Sequence, residues 1–301
     1  MVELKKLSTE QRNPLTMHID TLPTLEMVSL INSEDHKCAE AVKAVLPQVA
    51  QSIDIIYEKI RAGGRLFYAG AGTSGRLGVL DAAECPPTYG VDPGLVVGLI
   101  AGGAPAFLKA VEGAEDSPAL GRQDLIDRNF TAGDALVGIA ASGRTPYVIG
   151  AMDYAREIGA PVMALVCSRD SEMSRHADVT MAPIPGPEVV TGSSRMKSGT
   201  CQKLVLNLIS TCVMIKLGKV YGNLMVDVKA SNEKLVHRAV SIVTTVTGAD
   251  EATAKATLEQ CGFSCKVAIV MLLLNLDADA ARAALDRADG RIAQAVGKAA
   301  E

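Results

Sequence analysis

The feature that most constrains the fold is a regular alternation of short apolar runs with helical patterns, which begins at residue 65. Runs with the length and composition of buried strands occupy residues 65–69, 95–100, 135–140, 161–166 and 178–181. Helical patterns separate them at residues 74–85, 104–112, 120–129 and 146–158. Repeated strand–helix units with right-handed crossovers build parallel sheets. We therefore predict an α/β fold, a three-layer αβα sandwich with a five-stranded parallel sheet.

Helical patterns also flank the predicted sheet. One covers residues 24–32, and a longer one runs from Ser33 to the Gly63-Gly64 pair. Beyond the sheet, long helical patterns cover residues 194–216 and 230–246, and three short ones follow Asp250. We predict an N-terminal helical segment (1–56), a sheet domain (57–220) and a C-terminal helical region (221–301).

Composition excludes several classes of protein. The net charge is −4 and no basic run occurs, so we expect neither nucleic-acid nor membrane-surface binding. The seven cysteines form no C-x-x-C pair and the four histidines are scattered, which predicts reduced thiols and no metal site. The longest apolar run is too short to span a bilayer, and the first residues lack a signal-peptide core. We expect a cytoplasmic protein.

The first predicted strand is followed by Gly-Ala-Gly-Thr-Ser-Gly-Arg at residues 70–76, which opens a helix. This string is literally G-x-G-x-x-G, so it fits a dinucleotide site, a tight turn or another anion site. In the last case the anion would contact Gly72, Thr73 and Ser74.

A second loop of the same kind follows the third predicted strand. It contains Ser142, Gly143, Arg144 and Thr145, and Pro146 then suits the first turn of a helix. Two hydroxyl-bearing loops on one sheet fit a phosphorylated small ligand better than a dinucleotide. Asp92 stands 20 residues after Gly72, which leaves the dinucleotide alternative open.

A third polar segment, residues 186–200, precedes the long helix. Its Ser193 and Ser194 are candidates to cap that helix, and Arg195 and Lys197 are candidates to face a bound anion. Two acids near the glycine-rich loops are candidate catalytic groups, Glu84 and Glu115. Each, taken alone, fits an exposed surface acid as well.

Several strings in order along the chain carry a family resemblance; they are residues 9–13, 70–77, 80–88, 112–116, 141–147, 192–197 and 222–228. Together they resemble the N-acetylmuramic acid 6-phosphate etherase family of SIS (sugar isomerase) domain proteins. The chain departs from the family pattern at Ser194, where threonine is usual, and at Ser198, near a usual alanine. Both changes keep a small residue.

The resemblance implies a homodimer with its site near the subunit interface and no metal or organic cofactor. It implies conversion of N-acetylmuramic acid 6-phosphate and water to N-acetylglucosamine 6-phosphate and D-lactate, in cell-wall sugar recycling. The residue matching Glu84 is then the proton donor, and the one matching Glu115 is a second catalytic residue. The predicted substrate contacts are Gly72, Thr73, Ser74, Ser142, Gly143, Arg144, Thr145, Ser193, Ser194 and Lys197.

Helix geometry raises a question about Glu84. Ten helical steps separate it from Ser74, which is about 15 Å at 1.5 Å per residue. This is long for one hexose phosphate, so either Glu84 serves the partner's pocket or the helix ends before it. Three other functions remain open: an SIS-type aldose–ketose isomerase, a sugar-phosphate-binding regulator related to glucokinase regulatory protein, and an NAD-dependent oxidoreductase.

Overall fold

The computed structural model describes residues 11–228 and 232–297. The chain divides into two compact units. The sheet unit contains residues 11–83 and 93–210, and the helical unit contains residues 84–92 and 211–297. The predicted boundaries differ from this division, because residues 11–56 belong to the sheet unit and the segment 84–92 to the helical one.

The sheet unit is built on five parallel strands in the order β2-β1-β3-β4-β5. They are β1 (Leu66–Gly70), β2 (Val96–Ile100), β3 (Ala135–Ala140), β4 (Val162–Val166) and β5 (Val179–Met181). Every residue of β1, β3 and β4 is buried, as expected for strands covered on both faces. The predicted parallel sheet is confirmed, with each strand within one residue of its predicted ends.

Helices cover both faces of the sheet. On one face lie α6 (Pro118–Asp127) and α7 (Pro146–Glu157), and α7 approaches Gly138 so closely that a Cβ there would lie 2.8 Å from Met152 Sδ. On the other face lie α3 (Leu46–Arg61) and α4 (Gly72–Tyr89). A Cβ at Gly98 would lie 2.5 Å from Val79 Cα of α4. The predicted three layers are therefore confirmed.

The N-terminal helices differ from the prediction. The helix predicted over residues 24–32 is α1 (Thr24–Asp35), which continues to Asp35. The helix predicted to run from Ser33 is divided instead between the end of α1, α2 (Lys37–Lys43) and α3. α3 begins at Leu46 with Pro47 in its first turn, where a missing N–H costs no helical hydrogen bond. The predicted boundary after residue 56 falls inside α3.

The other helices of the sheet also depart from their predicted ends. α4 continues through Pro86 and Pro87, so the hypothesis that it ends before Glu84 is wrong. α5 (Pro105–Leu108) is much shorter than predicted, α8 (Glu172–Arg175) was not predicted, and α9 (Lys197–Lys216) begins three residues late. α4 and α9 each pass from one compact unit into the other.

The helical unit holds the short hairpin β6 (Val220–Tyr221) and β7 (Leu224–Met225), followed by α10 (Glu233–Thr247), α11 (Glu251–Gln260), α12 (Cys265–Leu274), α13 (Ala278–Arg287) and α14 (Ile292–Ala295). α12 lies at the centre of its apolar core, in contact with α10, α11, α13 and α14. Within the described ranges no single helix is long and apolar enough to cross a membrane; α11 and α12 pass that test only as a pair bent by 114°.

Candidate active site

The sheet topology brings two of the predicted loops together. β1 lies between β2 and β3, and Gly70 at its end is paired with Ile100 and Ile139. The chain connects β1 to β2 on one side and then crosses to β3 on the other. Ligands of open parallel sheets bind where the connections diverge in this way, beyond the carboxyl ends of the strands. The loops after β1 and β3 therefore flank the expected binding crevice.

The glycines of the β1 loop are needed for two different physical reasons, close packing and a positive φ. A Cβ at Gly75 would lie 2.7 Å from Gly70 O, so this pair lets α4 pack directly on the end of β1. Gly72 has a φ of +53° and open space around its missing Cβ, a conformation that glycine adopts without strain. Ala71 precedes α4 and has no polar side chain, so the first N–H groups of α4 receive no cap from it.

The start of α4 contacts the start of α9. Ser74 Oγ donates a hydrogen bond of 2.9 Å to Gln202 Oε1. A Cβ at Gly199 would lie 3.4 Å from Thr73 Cγ2. The loops after β1 and β5 thus lead into helices that touch each other at this edge of the sheet.

The β3 loop packs closely against the start of α8. Gly143 has a φ of +65°, and a Cβ there would lie 2.4 Å from Ser171 Cβ. Its carbonyl accepts from Met173 N at 2.9 Å. Thr145 is the residue before α7, and its side chain makes no capping hydrogen bond. Within the part of the chain that the structure describes, the half-buried Ser142 and Arg144 side chains make no hydrogen bond either.

The third predicted segment, residues 186–200, contains the residue that caps the start of α9. Glu188, fully buried, accepts from Lys197 N and Ser198 N, both at 2.9 Å, and from Ser198 Oγ at 2.8 Å. Ser193 and Ser194 do not cap α9; among residues 11–228 and 232–297 their hydroxyls have no hydrogen-bond partner. A cap from nine residues upstream has no local sequence signature, which is why it was missed.

The prediction that Lys197 binds phosphate does not fit its position. Lys197 is fully buried, and its Nζ donates to Glu34 Oε2 at 2.6 Å and to Pro185 O at 3.1 Å. Glu34 is also buried, and burial alone would raise its pKa; hydrogen bonds from Lys197, Lys37 and Asn13 outweigh this and lower the pKa to about 2. Lys197 is an internal counterion rather than a surface cation.

A cavity of about 320 Å³ opens at the ends of β1 and β2 and contains one of the two candidate acids. Its lining includes Gly72, Arg76, Glu112 and Glu115. Glu115 lies in a short 3-10 turn, Ala114–Asp116, which follows Gly113 with a φ of +74°. Its carboxylate is exposed and makes no hydrogen bond or ion pair within the described ranges. Glu115 is therefore available to a ligand in this cavity.

Arg76 forms the wall of the same cavity. It donates from Nε to Phe107 O and from Nη2 to Ala106 O, both at 2.8 Å. These bonds tie α4 to α5, the element that leads into the Glu115 turn. Arg76 was not among the predicted site residues, although it directly follows the glycine string that was.

Glu84, the second candidate acid, lies in the last part of α4. It is exposed, belongs to the helical unit and follows Ser74 by ten residues of continuous helix. It is not among the residues that line the cavity. A larger cavity of about 460 Å³ lies along β2, lined by residues such as Val79, Phe107 and Asp124, and contains none of the predicted site residues.

Comparison with known proteins identifies close relatives. The chain is 57% identical to an N-acetylmuramic acid 6-phosphate etherase from Serratia proteamaculans, over 98% of this chain and 99% of that protein. It is also 57% identical to an N-acetylmuramic acid 6-phosphate etherase from Aliivibrio fischeri, over 98% of each.

Family models and solved structures agree with the fold. Residues 48–156 match the N-terminal SIS domain of glucokinase regulatory protein, residues 117–211 match the SIS domain, and residues 222–267 match the C-terminal lid domain of glucokinase regulatory protein. A phosphosugar isomerase homologue involved in capsule formation in Bacteroides fragilis superposes with a TM-score of 0.50 at 19% identity, covering 65% of this chain and 94% of that one.

Proposed function

Because the chain belongs to the N-acetylmuramic acid 6-phosphate etherase family, we propose that its sheet-edge cavity cleaves the lactyl ether of this sugar phosphate. The products are N-acetylglucosamine 6-phosphate and D-lactate. The observation that supports this site most strongly is the cavity itself. It is lined by Gly72, Arg76 and Glu115, and Glu115 has no partner among residues 11–228 and 232–297. Its volume of about 320 Å³ suits a single small ligand.

The 6-phosphate is assigned to the crevice between the β1 and β3 loops. In the part of the chain that the structure describes, the hydroxyls of Ser142 and Thr145 have no hydrogen-bond partner, and α7 begins without a side-chain cap. Uncapped N–H groups at a helix start and the positive end of its dipole favour a phosphate. Thr73, Arg144, Ser193 and Ser194 keep their predicted role as further contacts, whereas the Ser74 hydroxyl would have to give up its hydrogen bond to Gln202 to donate to the phosphate. The sugar then extends toward Glu115.

The proposed chemistry is elimination followed by hydration. In the open-chain sugar the C1 aldehyde acidifies the proton on C2. Glu115 removes that proton while Glu84 protonates the lactate oxygen leaving C3, which forms a double bond between C2 and C3. Water then adds its hydroxyl at C3 and a proton returns to C2. Each positioned proton transfer contributes about 10²–10⁴ in rate.

Glu84 is proposed to act in the pocket of a second copy of this chain. Its exposure and its distance along α4 from Ser74 are what a residue shared across a homodimer needs. The proposed setting is the cytoplasm, where the reaction serves recycling of cell-wall amino sugars.

The first test is incubation with N-acetylmuramic acid 6-phosphate and an enzymatic assay for D-lactate. Glu115→Gln is expected to lower lactate release by about 10²- to 10⁴-fold, because the base is lost. Glu112→Gln is the matched control, since Glu112 lines the same cavity but has no assigned proton. Equal loss in both variants would contradict the assignment of Glu115.

The second test mixes subunits. Glu84→Gln and Glu115→Gln proteins, each inactive, are unfolded together and refolded. If Glu84 acts in the partner's pocket, each mixed dimer contains one intact site, and random pairing restores about a quarter of the sites. No recovery, with mixed dimers verified by mass spectrometry, would assign Glu84 to its own chain.

The family-model matches to glucokinase regulatory protein make a non-enzymatic sugar-phosphate sensor the second candidate. That function predicts tight binding of N-acetylmuramic acid 6-phosphate with no lactate released. An isomerase would instead convert an aldose phosphate to a ketose phosphate without losing lactate.

A further inference from the structure

We propose that Arg76 binds the lactyl carboxylate of the substrate and so selects N-acetylmuramic acid 6-phosphate among sugar phosphates. This inference rests on the proposed function, because it names the group that recognises the part of the substrate to be expelled. The lactyl group is also what distinguishes this substrate from its own product. A residue that binds this group therefore determines which sugar phosphate is accepted as the substrate.

The geometry leaves part of the guanidinium available. Arg76 uses Nε for Phe107 O and Nη2 for Ala106 O. Within residues 11–228 and 232–297, its Nη1 has no hydrogen-bond partner and the side chain has no carboxylate partner. The two backbone contacts fix the plane of the guanidinium at the cavity wall, so its free N–H groups are already oriented before a ligand arrives. Preorganisation of this kind reduces the entropic cost of binding.

Charge balance in the cavity supports the same role. Its lining contains the acids Glu112 and Glu115 and a single basic residue, Arg76. The substrate carries two anionic groups, the phosphate and the lactyl carboxylate. With the phosphate at the β1 and β3 loops, the carboxylate would meet only like charge in the cavity without Arg76. A guanidinium pairs well with a carboxylate because its N–H groups can bind both oxygens.

The position along α4 fits a substrate that spans the site. Gly72, the first residue of α4, lines the cavity together with Arg76, one helical turn later. One turn rises about 5.4 Å, which is comparable to the width of a hexose ring. Phosphate contacts near the start of α4 and a carboxylate contact at Arg76 would therefore hold opposite parts of one sugar.

The experiment compares two substrates: N-acetylmuramic acid 6-phosphate and its lactamide, in which a primary amide replaces the carboxylate. We measure kcat/KM for ether cleavage of each by the wild type, Arg76→Gln and Arg144→Gln. The wild type is expected to prefer the acid, and this preference should fall by about 10- to 100-fold in Arg76→Gln. Comparing ratios between enzymes cancels the intrinsic difference in leaving-group ability.

Arg144→Gln is the control for loss of positive charge in the site. It should lower kcat/KM for both substrates and leave their ratio unchanged. Inhibition by N-acetylglucosamine 6-phosphate, which has no lactyl group, should be the same in Arg76→Gln as in the wild type. This inhibition also reports that the phosphate site of the variant is intact.

Equal loss for the acid and the amide in Arg76→Gln would overturn the proposal and reduce Arg76 to a support for the α5 segment. If Arg76→Gln does not fold, Arg76→Lys provides the same comparison, and an unchanged preference relative to a neutral Arg76→Met would again contradict it. Failure of the proposed function looks different, because the wild type would then release no lactate at all.

Discussion

The helices that begin at the candidate site differ in their starts from most helices of the helical unit. In the helical unit, α10 to α13 are each capped by the residue just before them, Asn232, Asp250, Ser264 and Asp277, which accept from an N–H three residues on. In the sheet unit, α4 follows an alanine, α7 follows a threonine that makes no cap, and α9 is capped by the distant Glu188.

This difference matters because a capped helix start contributes to stability, whereas an uncapped one can bind a ligand. A local cap satisfies N–H groups that would otherwise be exposed and stabilises a helix by about 1 kcal/mol. A helix without such a cap keeps those N–H groups available for a ligand. The helical unit uses polar residues to stabilise short helices. In the sheet unit α6 has such a local cap, from Ser117, whereas α4 and α7 begin without a side-chain cap from the preceding residue at the edge where the candidate site lies.

The largest expected effect on stability concerns the long-range contacts that begin α9. Lys197→Met removes the main counterion of the buried Glu34. Loss of one partner of a buried ion pair costs about 3–5 kcal/mol, and urea unfolding measures it. A double variant, Glu34→Gln with Lys197→Met, should recover much of this loss; no recovery would mean that Lys197 acts by packing alone.

The second effect is the pH dependence that Glu34 gives to the sheet unit. The pKa of Glu34 is about 2 in the folded chain, below its ordinary value of 4.5. Its contribution is fully present above pH 4.5 and is lost as the pH falls toward 2. It amounts to about 3 kcal/mol. Urea unfolding at a series of pH values should show this decline in the wild type and a weaker one in Glu34→Gln, and equal slopes would contradict it.

The third prediction concerns the uncapped start of α7. Thr145→Val should raise the KM for N-acetylmuramic acid 6-phosphate about tenfold, because a hydroxyl that binds an anion is lost. The unfolding free energy should stay nearly unchanged, since Thr145 caps nothing. Thr145→Ser retains the hydroxyl and serves as the control. A marked loss of stability in Thr145→Val would show that Thr145 stabilises α7 as the local caps stabilise helices of the other unit, and would contradict the prediction.

The smallest effect is the converse change in the helical unit. Asp277 Oδ1 accepts from Ala280 N at 2.8 Å at the start of α13. Asp277→Ala should lower the unfolding free energy by about 1 kcal/mol, and Asp277→Asn much less. KM should be unchanged in both variants. An altered KM would show that caps in this unit also serve the substrate.

Patterns that are local in sequence were predictable. Apolar runs predicted all five strands of the parallel sheet, because a buried strand needs only a short apolar segment. β3 lies at its exact predicted residues. The glycine and hydroxyl loops followed from their position between strand and helix. The functional family followed from strings spread along the chain, which the 57% identical relatives confirm.

What depends on tertiary contacts was not predictable. α5 ends at Leu108 instead of residue 112, in a segment whose carbonyls are held by Arg76 from another element. Lys197 looked like a phosphate ligand beside two serines, but its partner Glu34 is 163 residues away. The boundaries between the two units were not predicted either, because α4 and α9 continue through them as unbroken helices.

The close fit of Gly143 on Ser171 has a consequence for attempts to give this scaffold a new substrate. Any side chain at position 143 would collide with its neighbour, so mutation cannot reshape that turn. Variation must come from the cavity beside α5, where Arg76 and Glu112 line the wall next to the proposed base Glu115. Directed evolution toward other phosphorylated sugars should therefore accumulate substitutions around α5 and leave the β3 turn invariant.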